Sequence, residues 1–150
     1  MNSRTKSDVM KYLSLMDGEN HSCPDRVNGM MNPKYLDCDI DKRTVTIEYT
    51  TAHWEANRVG ILHGGVICTM LDHGAGAAVS AYVGEWCPTV DLDVHFLRQG
   101  HIGEDLVVIG EIIHLGRRAV HAEAKLYEKL SGKLIATCLG TYLRPENHSE

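Results

Sequence analysis

Apolar residues recur along this chain in different rhythms, and each change of rhythm marks an element. Val9, Met10, Leu13 and Met16 fall at helical spacing within Lys6 to Met16, ahead of the breaker pair Asp17-Gly18, and predict a short amphipathic helix. The stretch that follows, through Pro24 and Pro33, reads as loop. Period-two alternation then begins. Tyr35 to Ile40 and Thr44 to Thr51 predict two strands around an Asp41-Lys42 turn, the second rich in β-branched residues. His53 to Leu62 has neither period and predicts an irregular connection.

From Ile61 to Val83 the apolar residues run nearly to membrane-span length, but His63, Asp72, His73 and many glycines and alanines in the run are costly in lipid. The run therefore predicts a buried helix from about Gly64 to Tyr82, whose small residues Ala75, Gly76, Ala77 and Ala78 let a sheet or a partner helix approach closely. Alternation returns in Thr89 to Leu97, Asp105 to Leu115, Ala119 to Tyr127 and Lys133 to Leu143, with turns at Gly116-Arg117 and Ser131-Gly132. One long apolar helix with two strands before it and four after it predicts an α+β layout, an antiparallel sheet wrapped around the helix. Length adds that the 150 residues make one domain, 1–34 being an N-terminal helix and loop that lead into it.

Charge narrows the partners. A net charge of −5 gives no general attraction to nucleic acid or to an anionic membrane, so neither is expected as a partner, and an anionic ligand must be met by a local basic patch. The five cysteines are odd in number and dispersed, which predicts reduced thiols and a cytoplasmic protein. The first ten residues mix both charges without an apolar core and do not read as a secretory signal.

The densest chemistry lies between Asn57 and Asp72. His63-Gly64-Gly65 opens the apolar helix, and the first N–H groups of a helix lack intrahelical partners and carry the positive end of its dipole. Such a terminus can hold an oxyanion. Asp72 is the only acid between Ile61 and Gly84, where a carboxylate is costly unless it has a task. At about 1.5 Å rise per residue, Gly65 and Asp72 lie roughly 10 Å apart along the axis. One chain cannot close a site across that distance, whereas two antiparallel copies can, so the spacing predicts a dimer that sets the helix start of one subunit against Asp72 of the other. The competing reading of Asp72 is a solvent stripe with Thr69, His73, Gly76 and Ser80.

These residues, in the pattern N-x5-H-G-G-x6-D with Phe96-Leu-Arg-Gln-Gly and Gly103-Glu-Asp-Leu downstream, resemble the hotdog-fold acyl-CoA thioesterases of the phenylacetate-pathway (PaaI-like) type. The resemblance runs from about Arg58 to Leu143; the first fifty residues match only in element order. It implies a hotdog fold, a homodimer required for the site and a homotetramer, with acyl-CoA as substrate. No cofactor or metal is implied, coenzyme A being part of the substrate. It also implies roles. The Gly65 amide polarises the thioester carbonyl, Asn57 orients the thioester or the water, and His63 shapes the turn without a proton-transfer duty. Asp72 either activates water or attacks directly to form a mixed anhydride, and both routes stay open. Thr89 stands where relatives carry a serine that holds the water, and Gln99 replaces a proline common after Phe-x-Arg.

Gly64, Arg98, Arg117 and Arg118 complete the expected substrate site, the arginines meeting the phosphates of coenzyme A from strand ends; a solvated basic turn is the competing reading. The acyl group is expected in a dimer-interface tunnel partly lined by Met70, Leu71 and the small residues of the helix. The nine histidines show neither an i, i+4 helical pair nor a Cys/His cluster, which argues against a metal site. Nucleophile-elbow, phosphate-loop and dinucleotide motifs are absent. Two alternatives share the fold: a hydratase or dehydratase acting on acyl thioesters, and a non-catalytic acyl-CoA-binding protein.

Overall fold

The computed structural model describes residues 4–146. Its elements are α1 (Lys6–Ser22), α2 (Val27–Met31), β1 (Lys34–Asp39), β2 (Thr44–Thr50), a 3-10 turn (His53–Glu55), α3 (Gly64–Val83), β3 (Thr89–Phe96), β4 (Asp105–Leu115), β5 (Ala119–Glu128) and β6 (Leu134–Leu143). All strands join one antiparallel sheet in the order β1-β2-β4-β5-β6-β3. Consecutive hairpins build β4-β5-β6, while α3 separates β2 from β3 and carries the chain across to the far edge. β3 is therefore an edge strand, paired only through β6.

Alternate residues of β2, β4, β5 and β6 turn inward onto α3; Val45, Ile47, Tyr49, Leu106, Val108, Leu126 and Tyr142 are fully buried there. The helix lies close because glycine faces glycine: a Cβ on Gly110 would fall on the Gly74 carbonyl, and one on Gly74 would sit 2.6 Å from a Val108 methyl. α3 is long and apolar enough to cross a membrane by length and composition, yet most of it is buried against its own sheet.

Where the elements differ from expectation, a contact explains it. α1 does not stop at Asp17-Gly18 but continues to Ser22, since a glycine costs a helix only about 1 kcal/mol. Its extra turn is anchored by Asn20, whose amide donates to the Tyr35 hydroxyl at 3.1 Å. The loop between Pro24 and Pro33 contains the one-turn helix α2, closed by Asn32 in the left-handed region (φ 46°). Ala56 and Leu62 form an isolated bridge that pinches the connection before α3 into a closed loop.

Candidate active site

α3 begins at the pinch. The His63 N–H donates to the Glu55 carbonyl at 2.9 Å, which fixes where the helix starts. The His63 ring then caps the helix, its Nδ1 accepting the Gly65 N–H at 2.8 Å. The Gly65 amide, expected as an oxyanion donor, is therefore engaged by an exposed imidazole in this state, and the ring must swing aside for a carbonyl oxygen to replace it. Gly64 lies under the Phe96 ring, 3.6 Å from where its Cβ would be, and its N–H takes no partner among the described residues. Asn57 shapes the adjoining loop: its Oδ1 accepts the N–H groups of Val59 and Ile61 at 3.0 and 3.3 Å. Its NH2 group takes no partner among the described residues.

Two turns further along α3, half-buried Asp72 is held from the sheet. The Thr89 hydroxyl, on the first residue of β3, donates to Asp72 Oδ1 at 2.8 Å. The Tyr142 hydroxyl, from the end of β6, donates to the same oxygen at 3.0 Å and lies 3.3 Å from the Asp72 carbonyl. Burial, and then the neighbouring Asp72 carboxylate, push the Tyr142 phenol well above the ordinary tyrosine range, so it stays a donor. Sequence reasoning passed over Tyr142. The available signal was Gly140-Thr-Tyr142 in a strand whose other inward residues are small or apolar.

The structure thus forms two groups within one chain: His63, Gly64 and Gly65 beside Phe96, and Asp72 beside Thr89. They mark opposite ends of β3, about 23 Å of strand. The arginines divide likewise. Arg98, just past β3, donates through Nη1 to the Leu134 carbonyl at 2.8 Å. Arg117 and Arg118 occupy the β4–β5 turn near the start of β3, where the Arg144 N–H donates to the Arg118 carbonyl at 2.8 Å. One chain does not gather them into a single patch.

A cavity of about 580 Å³ opens beside Asp72, between α3, α1 and the segment before β3. Gly76 and Ser80 form its floor, Tyr12 and Met16 one wall, and Trp86 another. Met70 and Leu71, expected along the acyl tunnel, instead point into the core and are fully buried. At i+1 and i+2 from Thr69 they turn toward the core, and the residues one and two turns beyond Asp72 face the cavity.

Below the cavity, His73 lies within the solvent stripe suggested for α3 but is buried, with the hydroxyls of Tyr35 and Tyr49 at 2.8 Å from Nε2 and 2.5 Å from Nδ1. Burial lowers its pKa to about 4, which leaves a neutral structural imidazole near neutrality. Burial also raises the Cys138 thiol to about 11, which keeps it protonated near neutrality. Among the described residues no three His, Cys, Asp or Glu side chains are grouped to hold a metal.

Residues 59–134 match the model of the thioesterase superfamily. Acyl-coenzyme A thioesterase 13 of Mus musculus is 32% identical over 81 residues, 53% of this chain and 58% of that protein, so the matched region spans less than two thirds of that relative's length. A crystal structure of a putative thioesterase from Ralstonia eutropha JMP134, described as phenylacetic acid degradation-related, superposes with a TM-score of 0.77 at 27% identity, covering 89% of this chain and 99% of the other. The PaaI protein of the E. coli phenylacetic acid degradation operon reaches a TM-score of 0.81 at 18% identity, covering 95% and 96%, a likeness of fold. With a single antiparallel sheet wrapped around α3 and the superfamily match across its helix and strands, the chain belongs to the thioesterase superfamily and has the hotdog fold.

Proposed function

We propose that this protein hydrolyses the thioester of an acyl-CoA to a free carboxylic acid and coenzyme A, at a site completed by a second copy of the chain. The observation that carries the reading is the placement of two complementary half-sites at opposite ends of an edge strand. The oxyanion half (His63, Gly64, Gly65) adjoins Phe96, and the carboxylate half (Asp72) adjoins Thr89. β3 presents an unpaired edge with Val90 61% and Phe96 55% exposed, surface that favours pairing. A two-fold pairing of β3 with its copy runs the strands antiparallel and brings each Gly65 toward the other subunit's Asp72.

The chemistry follows from that juxtaposition. The thioester oxygen takes the N–H groups at the start of α3, where the helix dipole favours developing negative charge. Asn57 contributes its unpartnered NH2 to the carbonyl or to the water. On the general-base route Asp72 takes a proton from water as the oxygen bonds to the carbonyl carbon; collapse of the tetrahedral oxyanion breaks the C–S bond, and the coenzyme A thiolate leaves and is protonated. On the nucleophilic route Asp72 itself bonds to the carbonyl carbon, expels the thiolate, and water hydrolyses the resulting anhydride. The cycle as proposed requires no metal and no further cofactor. The cavity beside Asp72 takes the acyl group. Arg98 of one subunit and Arg117 and Arg118 of the other, brought to the same end of the paired strands, meet the coenzyme A phosphates. A homotetramer built from two such dimers, in the cytoplasm, completes the reading.

Free-thiol release from short, medium, long and aromatic acyl-CoAs, measured for the natural protein, Asp72→Ala and Asp72→Asn, tests it. Turnover by the natural protein, lost in both variants while they remain folded and dimeric, is expected; no thiol release from any member of the panel would sink the proposal in favour of a hydratase or a binding protein.

A further inference from the structure

We propose that Tyr142 is a positioning residue for this reaction: its hydroxyl, together with that of Thr89, fixes Asp72 through Oδ1 and leaves Oδ2 as the reacting oxygen. The inference rests on the thioesterase reading above and deepens it.

Both hydroxyls reach Oδ1, at 2.8 and 3.0 Å, from two neighbouring strands, while Oδ2 takes no partner among the described residues. An ionised carboxylate offers acceptor sites on both oxygens, so crowding two donors onto one is a choice the fold imposes. Oδ1 is thereby tied to the sheet, and Oδ2 is left without a partner among the described residues on a side chain that lines the cavity. The Tyr142 hydroxyl has one hydrogen and two acceptors within reach, the Asp72 carbonyl at 3.3 Å and Oδ1 at 3.0 Å. The shorter, charge-assisted bond to Oδ1 is the stronger.

The slot for the ring is built by omission. Tyr142 is fully buried, and a Cβ on Gly76 would stand 3.3 Å from one edge of the ring and one on Gly140 3.0 Å from the other. Phenylalanine would fill this slot without leaving a buried hydroxyl in need of a partner, so packing alone does not account for the tyrosine. The other titratable groups around the pair are Cys138 on β6, Asp91 on β3, Cys68 and His73 on α3, and, lining the same cavity, Tyr12 and Glu19 on α1 and Cys87 before β3; none is a cation near neutrality, so the two hydroxyls supply the hydrogen bonds that support the charge.

Tyr142→Phe tests the role. The kcat is expected to fall about tenfold to a hundredfold, the range for a lost hydrogen bond to a charged group, with KM within about twofold. The acid limb of the kcat/KM profile is expected to move to higher pH, because an O–H donated to a carboxylate favours its ionised form. Combined with Thr89→Val, the loss should differ from the product of the two single losses, since both hydroxyls act on one oxygen. A variant that melts earlier but keeps the natural kcat and pH profile would reduce Tyr142 to a structural residue and overturn the inference alone. Absence of turnover in the natural protein would overturn the underlying reading as well. Should Tyr142→Phe fail to fold, 3-fluorotyrosine at position 142 keeps ring and hydroxyl while making the phenol a stronger donor; the acid limb should then move to lower pH, and an unmoved limb would refute the role.

Discussion

The first turn of α3 and the turn around Asp72 belong to one helix, yet they are built on opposite plans. The first turn offers main-chain N–H groups flanked by small residues, covered by an exposed imidazole and by the ring of an edge-strand phenylalanine. Around Asp72 the donors are side-chain hydroxyls brought in from the sheet, one of them on a fully buried tyrosine. On the proposed reading the difference follows from the tasks. A surface that must admit a carbonyl needs donors whose temporary partner can leave, whereas a carboxylate that must keep one orientation needs partners that cannot. Stability and activity should therefore separate along the helix.

The largest effect is expected at the rigid end. Asp72→Asn keeps the shape and the capacity to accept from Thr89 and Tyr142 but removes the carboxylate on which both proposed routes depend, and should lower kcat by about a thousandfold, within the range for a general acid or base. Steady-state kinetics beside circular dichroism checks this; near-natural turnover would break the contrast between the two regions. Next comes pH. His73 is held near pKa 4 in the fold, below the usual histidine value of about 6.5, so the unfolded chain binds the proton more readily between those values. Stability is fully present above about pH 6.5 and is lost as pH falls toward 4, by an amount on the order of 3 kcal/mol. Melting curves across that window should show the slope, and His73→Gln should flatten it even if the whole curve drops.

A charge on the free edge probes the assembly. Val90→Lys puts a charge in place of an exposed apolar side chain on the strand that the pairing would cover, so dimer fraction and kcat should fall together while the far-ultraviolet spectrum stays unchanged. Full activity in a monomer by analytical ultracentrifugation would refute the shared site. The smallest effect is expected at the exchangeable end: His63→Ala removes a cap and should cost about 1 kcal/mol of stability, with kcat changed only a few-fold. A thousandfold loss there would assign the ring a role in the chemistry and erase the distinction.

Legibility in the sequence followed the range of the interactions. α3 and β4 were readable to within a residue because their periods are long and their ends carry local signals, such as His63-Gly64 and the left-handed Gly84. α2 was not, since five residues are too few for any period. The end of α1 was misplaced because Asn20 is anchored by Tyr35, on a strand not adjacent in sequence. At the site, the helix start and Asp72 were visible as motifs, whereas the hydrogen bond from Thr89 to Asp72 needed the sheet to bring the two together. Tyr142 escaped because it meets Asp72 across 70 residues of chain, and an inward tyrosine on a strand looks like core. The arginines looked like one cluster because strand ends cannot be assigned to the same or opposite edge without the sheet order.

The meeting of Gly74 with Gly110 has a mechanical meaning. Where main chain rests on main chain no rotamer can yield, so the contact acts as a hard stop that sets the height of the helix above the sheet. Asp72 stands two residues before that stop, and its reach to Thr89 and Tyr142 is measured from it. The walls of the cavity can be recut without disturbing this reference level, whereas a single methyl group on Gly110 would meet the main chain of Gly74, raise the whole lever and lift the carboxylate off both of its supports.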